Sequence, residues 1–147
     1  MAMNSMWETM VVSNTEARGR LVDTIERRGF EVICAPMVQV ALELAGKRPF
    51  AVVFCDRELT DGSCSDFLLG LRERKIRTRV VVISRTADWD QYLEAMRLGA
   101  FDMIPAPCQP DDVEWTLFQA SREERNRSKL ETVRPESKGA KASEAAA

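Results

Sequence analysis

The chain of 147 residues contains no histidine. That excludes Ser-His-Asp and Cys-His catalysis, His-ligated zinc and a histidine phosphocarrier role. Its four cysteines, Cys34, Cys55, Cys64 and Cys108, include no C-x-x-C pair, and the composition offers no disulfide framework. Cys34 and Cys55 fall inside apolar runs and read as small buried hydrophobes, whereas Cys64 and Cys108 fall in loops and read as exposed thiols. No apolar run approaches the ~18–20 residues that span a bilayer. The opening MAMNSMWETM lacks the basic and apolar regions of a signal peptide, so a cytoplasmic location without a membrane partner is expected. An excess of positive charge is missing too. Lys and Arg number 21 against 23 Asp and Glu, for a net charge of −2, which argues against direct nucleic-acid binding by bulk charge.

What is present is enough for one domain with a real core: 45% of the residues are hydrophobic and 30% charged. Short apolar runs alternate with amphipathic stretches. The runs are Met10–Val12, Val32–Ala35, Ala51–Cys55, Val80–Ile83 and Phe101–Ile104, the last interrupted by Asp102. Most are rich in Val and Ile and do not alternate, as befits strands covered on both faces. Between them, Ala17, Leu21 and Ile25 repeat at helical spacing before Gly29, and Val38, Ala41, Leu42 and Ala45 do so before Gly46. Ser65 or Asp66 is placed to cap a third helix carrying Phe67, Leu68 and Leu71, and Asp88 a fourth carrying Tyr92, Ala95 and Met96 and ending at Gly99. Gln109-Pro110 opens the last helix, with Asp111 and Asp112 complementing its dipole. That helix is expected to end near Arg125. Residues 1–8 read as a lead, 9–126 as the domain, and 127–147 as a disordered tail in which Ser, Ala, Lys and Glu show no apolar period.

Five strand–helix units in series imply an α/β fold: a five-stranded parallel sheet with helices on both faces. Chemistry in such sheets gathers beyond the carboxyl ends of the strands. The residues there are Ser13-Asn14, Asp56-Arg57-Glu58, Ser84-Arg85-Thr86 and Pro105-Ala106-Pro107. Asp56, ending the central run AVVFCD, is by position either a cap or a reactive or metal-binding group. ELTDG after it is a turn sequence in which Gly62 can supply a positive φ.

The segments AVVFCDRELTDGS, VVVISRTAD and AMRLGAFDMIPAPCQPDDVE resemble the receiver domain of bacterial two-component response regulators, over about residues 9–125. The resemblance implies a (βα)5, flavodoxin-like fold. It implies that Asp56 is the position phosphorylated by a partner histidine kinase and that Ser84 contacts the phosphoryl group. It also exposes departures. Where the family carries two acidic residues that hold Mg²⁺, this chain has Ser13 and Asn14. Ala106 stands in place of the lysine before Pro107, Met103 in place of the aromatic switch residue, and Thr60 in place of a proline.

Phosphoryl transfer rests on positioning and charge neutralisation by metal and cation. Mg²⁺ takes oxygen ligands and ordinarily one or two carboxylates. Here Asp56, the Asn14 amide and the Glu58 main-chain carbonyl are what remains, so any Mg²⁺ site is expected to be weak or lost. The expected function is therefore an atypical, stand-alone receiver, poorly or never phosphorylated, that signals by protein contact. The alternative is an orthodox Mg²⁺-dependent acceptor, with Glu16 or Glu58 replacing the acid pair and Arg85 the lysine. A remoter one is a haloacid-dehalogenase-like phosphatase, faintly resembled by Asp56-Arg57-Glu58-Leu59-Thr60. Beyond accepting a phosphoryl group, no enzymatic activity is expected.

A second signal concerns partners. At 100° per residue from Val113, Leu117 and Ala120 fall within about 40° and form the core stripe, whereas Trp115 and Phe118 fall near roughly 200° and 140°. Two aromatics on the solvent side of one helix suggest a contact surface, which Trp89 and Tyr92 could extend. In receivers this region is the usual dimer or effector face. A histidine kinase or other signalling protein, or a second copy through the last two helices, is the expected partner.

Overall fold

The computed structural model describes residues 8–15, 18–86 and 88–133, with side chains described as far as Arg122. Five strands form one parallel sheet: β1 (Glu8–Val12), β2 (Glu31–Ala35), β3 (Val52–Asp56), β6 (Val80–Ser84) and β7 (Asp102–Pro105). Their spatial order is β2-β1-β3-β6-β7. A two-residue hairpin, β4 (Glu58–Leu59) with β5 (Gly62–Ser63), follows β3. The helices are α1 (Gly19–Arg27), α2 (Val38–Lys47), α3 (Cys64–Glu73), α4 (Trp89–Arg97) and α5 (Pro110–Val133).

Alternation along each strand divides the core into two layers. Met10, Val12, Val53, Cys55, Val80 and Val82 face α2, α3 and the inner side of α4. Val11, Val52, Phe54, Val81 and Ile83 face Leu21 and Ile25 of α1 and Val113, Leu117 and Ala120 of α5. All five residues of β3 and of β6 are buried, which is why those runs are apolar up to their last residues, Asp56 and Ser84. Phe54 is fully buried; removing its ring would cost about 3–5 kcal/mol. Helices α4 and α5 thus lie on opposite layers and flank the edge strand β7.

The helix ends follow local chemistry. Gly29 ends α1 with φ +92°, a left-handed conformation that favours glycine, and its N–H donates to the Glu26 carbonyl. Asp88 caps α4 as expected, its carboxylate accepting from Gln91 N at 2.9 Å. The cap of α3 is Ser63 rather than Ser65 or Asp66. Asp66 is the reciprocal half of a capping box, accepting from Ser63 N at 3.0 Å. Helix α2 is capped from a distance, since Asp61 accepts from the N–H groups of Val38 at 2.8 Å and Gln39 at 3.1 Å. Those bonds, Val38's foremost, hold the Asp61 carboxyl below the usual carboxylate range.

Several boundaries differ from expectation. Glu8 is not part of a lead: it pairs with Glu31 in the sheet, and its carbonyl accepts from Ala51 N. Residues 1–7 lie outside the described part. Helix α5 runs to Val133 rather than ending near Arg125, so residues 127–133 of the expected tail are helical. Glu, Arg, Lys and Leu favour helix without needing an apolar face, which is why periodicity stopped short. The rest of the expected tail, from 134, lies outside the described residues.

The cysteines exchange roles. Cys34 is exposed because β2 is an edge strand, and Cys64 is buried because it opens α3 against the core. Cys55 is buried as expected, and Cys108 is half-buried. No described helix is long and apolar enough to cross a membrane.

Candidate functional site

Parallel pairing sets Asp56 beside Ile83 and Val12 beside Cys55, so the residues just after β1 reach the level of the Asp56 carboxylate. Burial of the preceding VVFC drives the strand to its end, and Asp56 itself is only 6% exposed. The Ser13 hydroxyl donates to Asp56 Oδ2 at 2.6 Å. Arg18, immediately before α1, reaches Oδ1 with both Nε and Nη2 at 2.7 Å. Distances this short mark charge-assisted bonds. The Arg18 side chain is 16% exposed.

Glu16, Glu58 and Arg85 were the compensating charges expected at the pocket, but the charge that reaches Asp56 is Arg18. Glu16 lies outside the described residues. The Glu58 side chain points to solvent and pairs with Arg57 at 3.4 Å, a surface ion pair of little consequence. Arg85 lines a neighbouring cleft rather than replacing the lysine. Asn14 is exposed. Ala106 is half-buried against the α1/α5 layer, its N–H donating to the Ser84 carbonyl at 3.0 Å. A methyl group thus occupies the position where a cation was looked for.

Ser84 ends β6 next to Pro105. Its hydroxyl donates to Gln91 Oε1 at 2.7 Å, and Gln91 Nε2 donates to Thr86 Oγ1 at 2.7 Å. This links the strand end to the first turn of α4. Beside it, Arg85, Thr86, Asp88, Trp89, Tyr92, Met103 and Pro105 line an open cleft of about 440 Å³. Met103 contributes to its wall in place of an aromatic ring.

Three thiols lie around these elements. Burial pushes Cys55 well up, with Cys64 and Asp56 adding to it, and burial also raises Cys64. Burial raises Cys108 as well; the Arg18 charge opposes that shift, while Asp56 and Asp112 reinforce it.

A divalent cation does not fit this donor set. Mg²⁺ asks for several oxygens and ordinarily keeps waters beside one or two carboxylates. Among the described residues no three Cys, Asp or Glu side chains converge, and both oxygens of Asp56 already bond to Ser13 and Arg18.

The expected contact residues are where the helical arithmetic put them. Trp115 is 56% and Phe118 48% exposed, and their rings stack with centroids 5.8 Å apart. On α4, Trp89 is 68% exposed and stacks on the half-buried Tyr92 at 5.4 Å.

Comparison with known proteins agrees with the architecture. The chain is 32% identical over 110 residues to the acid tolerance regulatory protein ActR of Rhizobium meliloti, covering 75% of this chain and 57% of that one. It is 31% identical over 99 residues to the photosynthetic apparatus regulatory protein RegA of Rhodovulum sulfidophilum, covering 67% of this chain and 54% of that one. The chain thus spans about half the length of the curated relatives it matches. Among solved structures, the signal receiver domain of a putative Luxo repressor protein from Vibrio parahaemolyticus superposes with a TM-score of 0.75 at 14% identity, over 82% of this chain and 94% of that one. The chemotaxis response regulator CheY4 of Vibrio cholerae does so at 0.70 and 21% identity, over 77% and 97%. The model of the response regulator receiver domain matches residues 10–117, and the chain belongs to that family.

Proposed function

We propose that this receiver domain of a two-component response regulator signals chiefly through protein contact on α4 and α5, with Asp56 accepting a phosphoryl group weakly or not at all. The observation that carries the reading is the Asp56 pocket, in which one carboxylate stands without an acid pair or a lysine. Ser13 donates to that carboxylate, and Ala106 supplies only a methyl group. The cation that does reach Asp56, Arg18, is already paired with the carboxylate itself, and no acid pair beside it is placed to hold the metal that neutralises a transferred phosphoryl group.

The stacked pairs Trp115–Phe118 and Trp89–Tyr92 support the contact half of the reading. Exposed aromatics of this size suit an anchor for a partner protein. The partner is a histidine kinase or another signalling protein, or a second copy of the chain through the same two helices. An orthodox acceptor is the second reading, favoured by Asp56 and Ser84 at adjacent strand ends.

Intact-mass measurement after incubation with acetyl phosphate and Mg²⁺, on the wild-type chain and on Asp56→Ala, separates the two. Little or no adduct is expected. A stoichiometric adduct that Asp56→Ala abolishes would establish the orthodox acceptor instead.

A further inference from the structure

Arg18 brings a cation to the place where the pocket's chemistry calls for one. Arg18 Nε and Nη2 both approach Asp56 Oδ1 at 2.7 Å, and the Ser13 hydroxyl takes Oδ2 at 2.6 Å. A guanidinium keeps its proton at any physiological pH and offers a planar fork to a carboxylate. Here two guanidinium nitrogens share one oxygen of the carboxylate, and Ser13 takes the other. The pairing is also sheltered, with side-chain exposures of 16% for Arg18 and 9% for Asp56. A metal ion seeking Asp56 meets oxygens already engaged as acceptors and a fixed positive charge in direct contact with them.

We propose that Arg18 is the specificity-determining residue of this pocket: a tethered counter-cation that stands where the family uses a divalent ion, excludes Mg²⁺ and holds Asp56 in one metal-independent state. The proposal rests on the reading of Asp56 as a weak acceptor and names its cause. Loss of the acid pair alone would leave a weak metal site. Arg18 closes it. The two causes make different predictions once the acids are put back.

The test is a two-dimensional amide NMR titration with Mg²⁺ alone on four full-length chains: wild type, Arg18→Gln, Ser13→Asp with Asn14→Asp, and that pair combined with Arg18→Gln. Wild type is expected to show no saturable shift. With the acids restored, the chain lacking Arg18 is expected to bind Mg²⁺ more than roughly tenfold tighter than the chain keeping it. Equal affinity in those two backgrounds overturns the proposal. A second measurement needs no variant: the Arg18 Nε–Hε resonance of the wild type is expected to be protected from exchange and unmoved by Mg²⁺. Its loss or displacement on adding the metal also overturns the proposal. Failure of the weak-acceptor reading alone shows differently, as a stoichiometric mass adduct at Asp56 of the wild type formed from acetyl phosphate without Mg²⁺, whatever the Arg18 comparison gives; saturable binding of beryllofluoride with Mg²⁺ to the wild type overturns both.

Discussion

The Asp56 pocket and the outer faces of α4 and α5 treat their functional side chains in opposite ways. In the pocket, both oxygens of Asp56 bond to Ser13 and Arg18, and the Ser84 hydroxyl bonds to Gln91. On the helices, Trp89, Trp115 and Phe118 stand more than two-fifths exposed, and each stacks on an aromatic neighbour. One region is closed on itself by charge and hydrogen bonds; the other presents apolar surface outward. Stability should therefore depend on the pocket, and association on the helices.

The largest effect expected from breaking that contrast is at Arg18. Arg18→Ala leaves a mostly buried carboxylate with one hydroxyl partner and should cost about 2 kcal/mol of stability, read as a lower urea midpoint at unchanged m-value. The loss should largely vanish when Asp56→Asn is added, because the orphaned charge goes with it.

Asp88→Ala removes the α4 cap and should cost about 1 kcal/mol. Because α4 carries Trp89 and Tyr92 beside the cleft, the same change should broaden amide signals of the cleft residues while leaving those of Asp56 sharp.

Trp115→Ala with Phe118→Ala should shift stability by less than about 0.5 kcal/mol, since exposed side chains contribute little to the fold. Sedimentation should instead report lost self-association, or pull-down a lost partner. Unchanged behaviour in both removes the contact face from the account.

The smallest effect concerns acid. Asp61, held below its ordinary value by the Val38 N–H, contributes stability that is present above the unfolded carboxylate range and lost as pH falls through its lowered folded value. Asp61→Asn should therefore narrow the difference in urea midpoint between pH 6 and pH 3, and a difference of unchanged size would rule out the distant cap as a source of acid sensitivity.

The sheet was legible because β3 and β6 are continuous apolar runs, and Asp56 and Ser84 because each ends one of them. Trp115 and Phe118 were legible because helical geometry converts spacing into direction. Arg18 was not. It stands between β1 and α1, and nothing in its neighbours signals that its side chain folds back onto a strand 38 positions later. Asp61 escaped for the same reason: the helix it caps precedes it by more than 20 positions. Cys34 and Cys64 were misplaced because burial at an edge strand and at a helix start depends on what packs there, not on local hydropathy. Position along a strand can be read locally, whereas the partner of a loop charge is decided by the fold.

The measurement that tests the central claim most directly is an amide NMR titration of the wild-type chain with Mg²⁺ and then beryllofluoride, with Asp56→Ala as control. Beryllofluoride assembles on a carboxylate only with a metal and a stabilising cation in place. The account predicts no saturable shifts around Ser13, Asp56 and Ser84 at millimolar metal. Saturable shifts there, lost in Asp56→Ala, would contradict it and make this pocket a working phosphoryl switch.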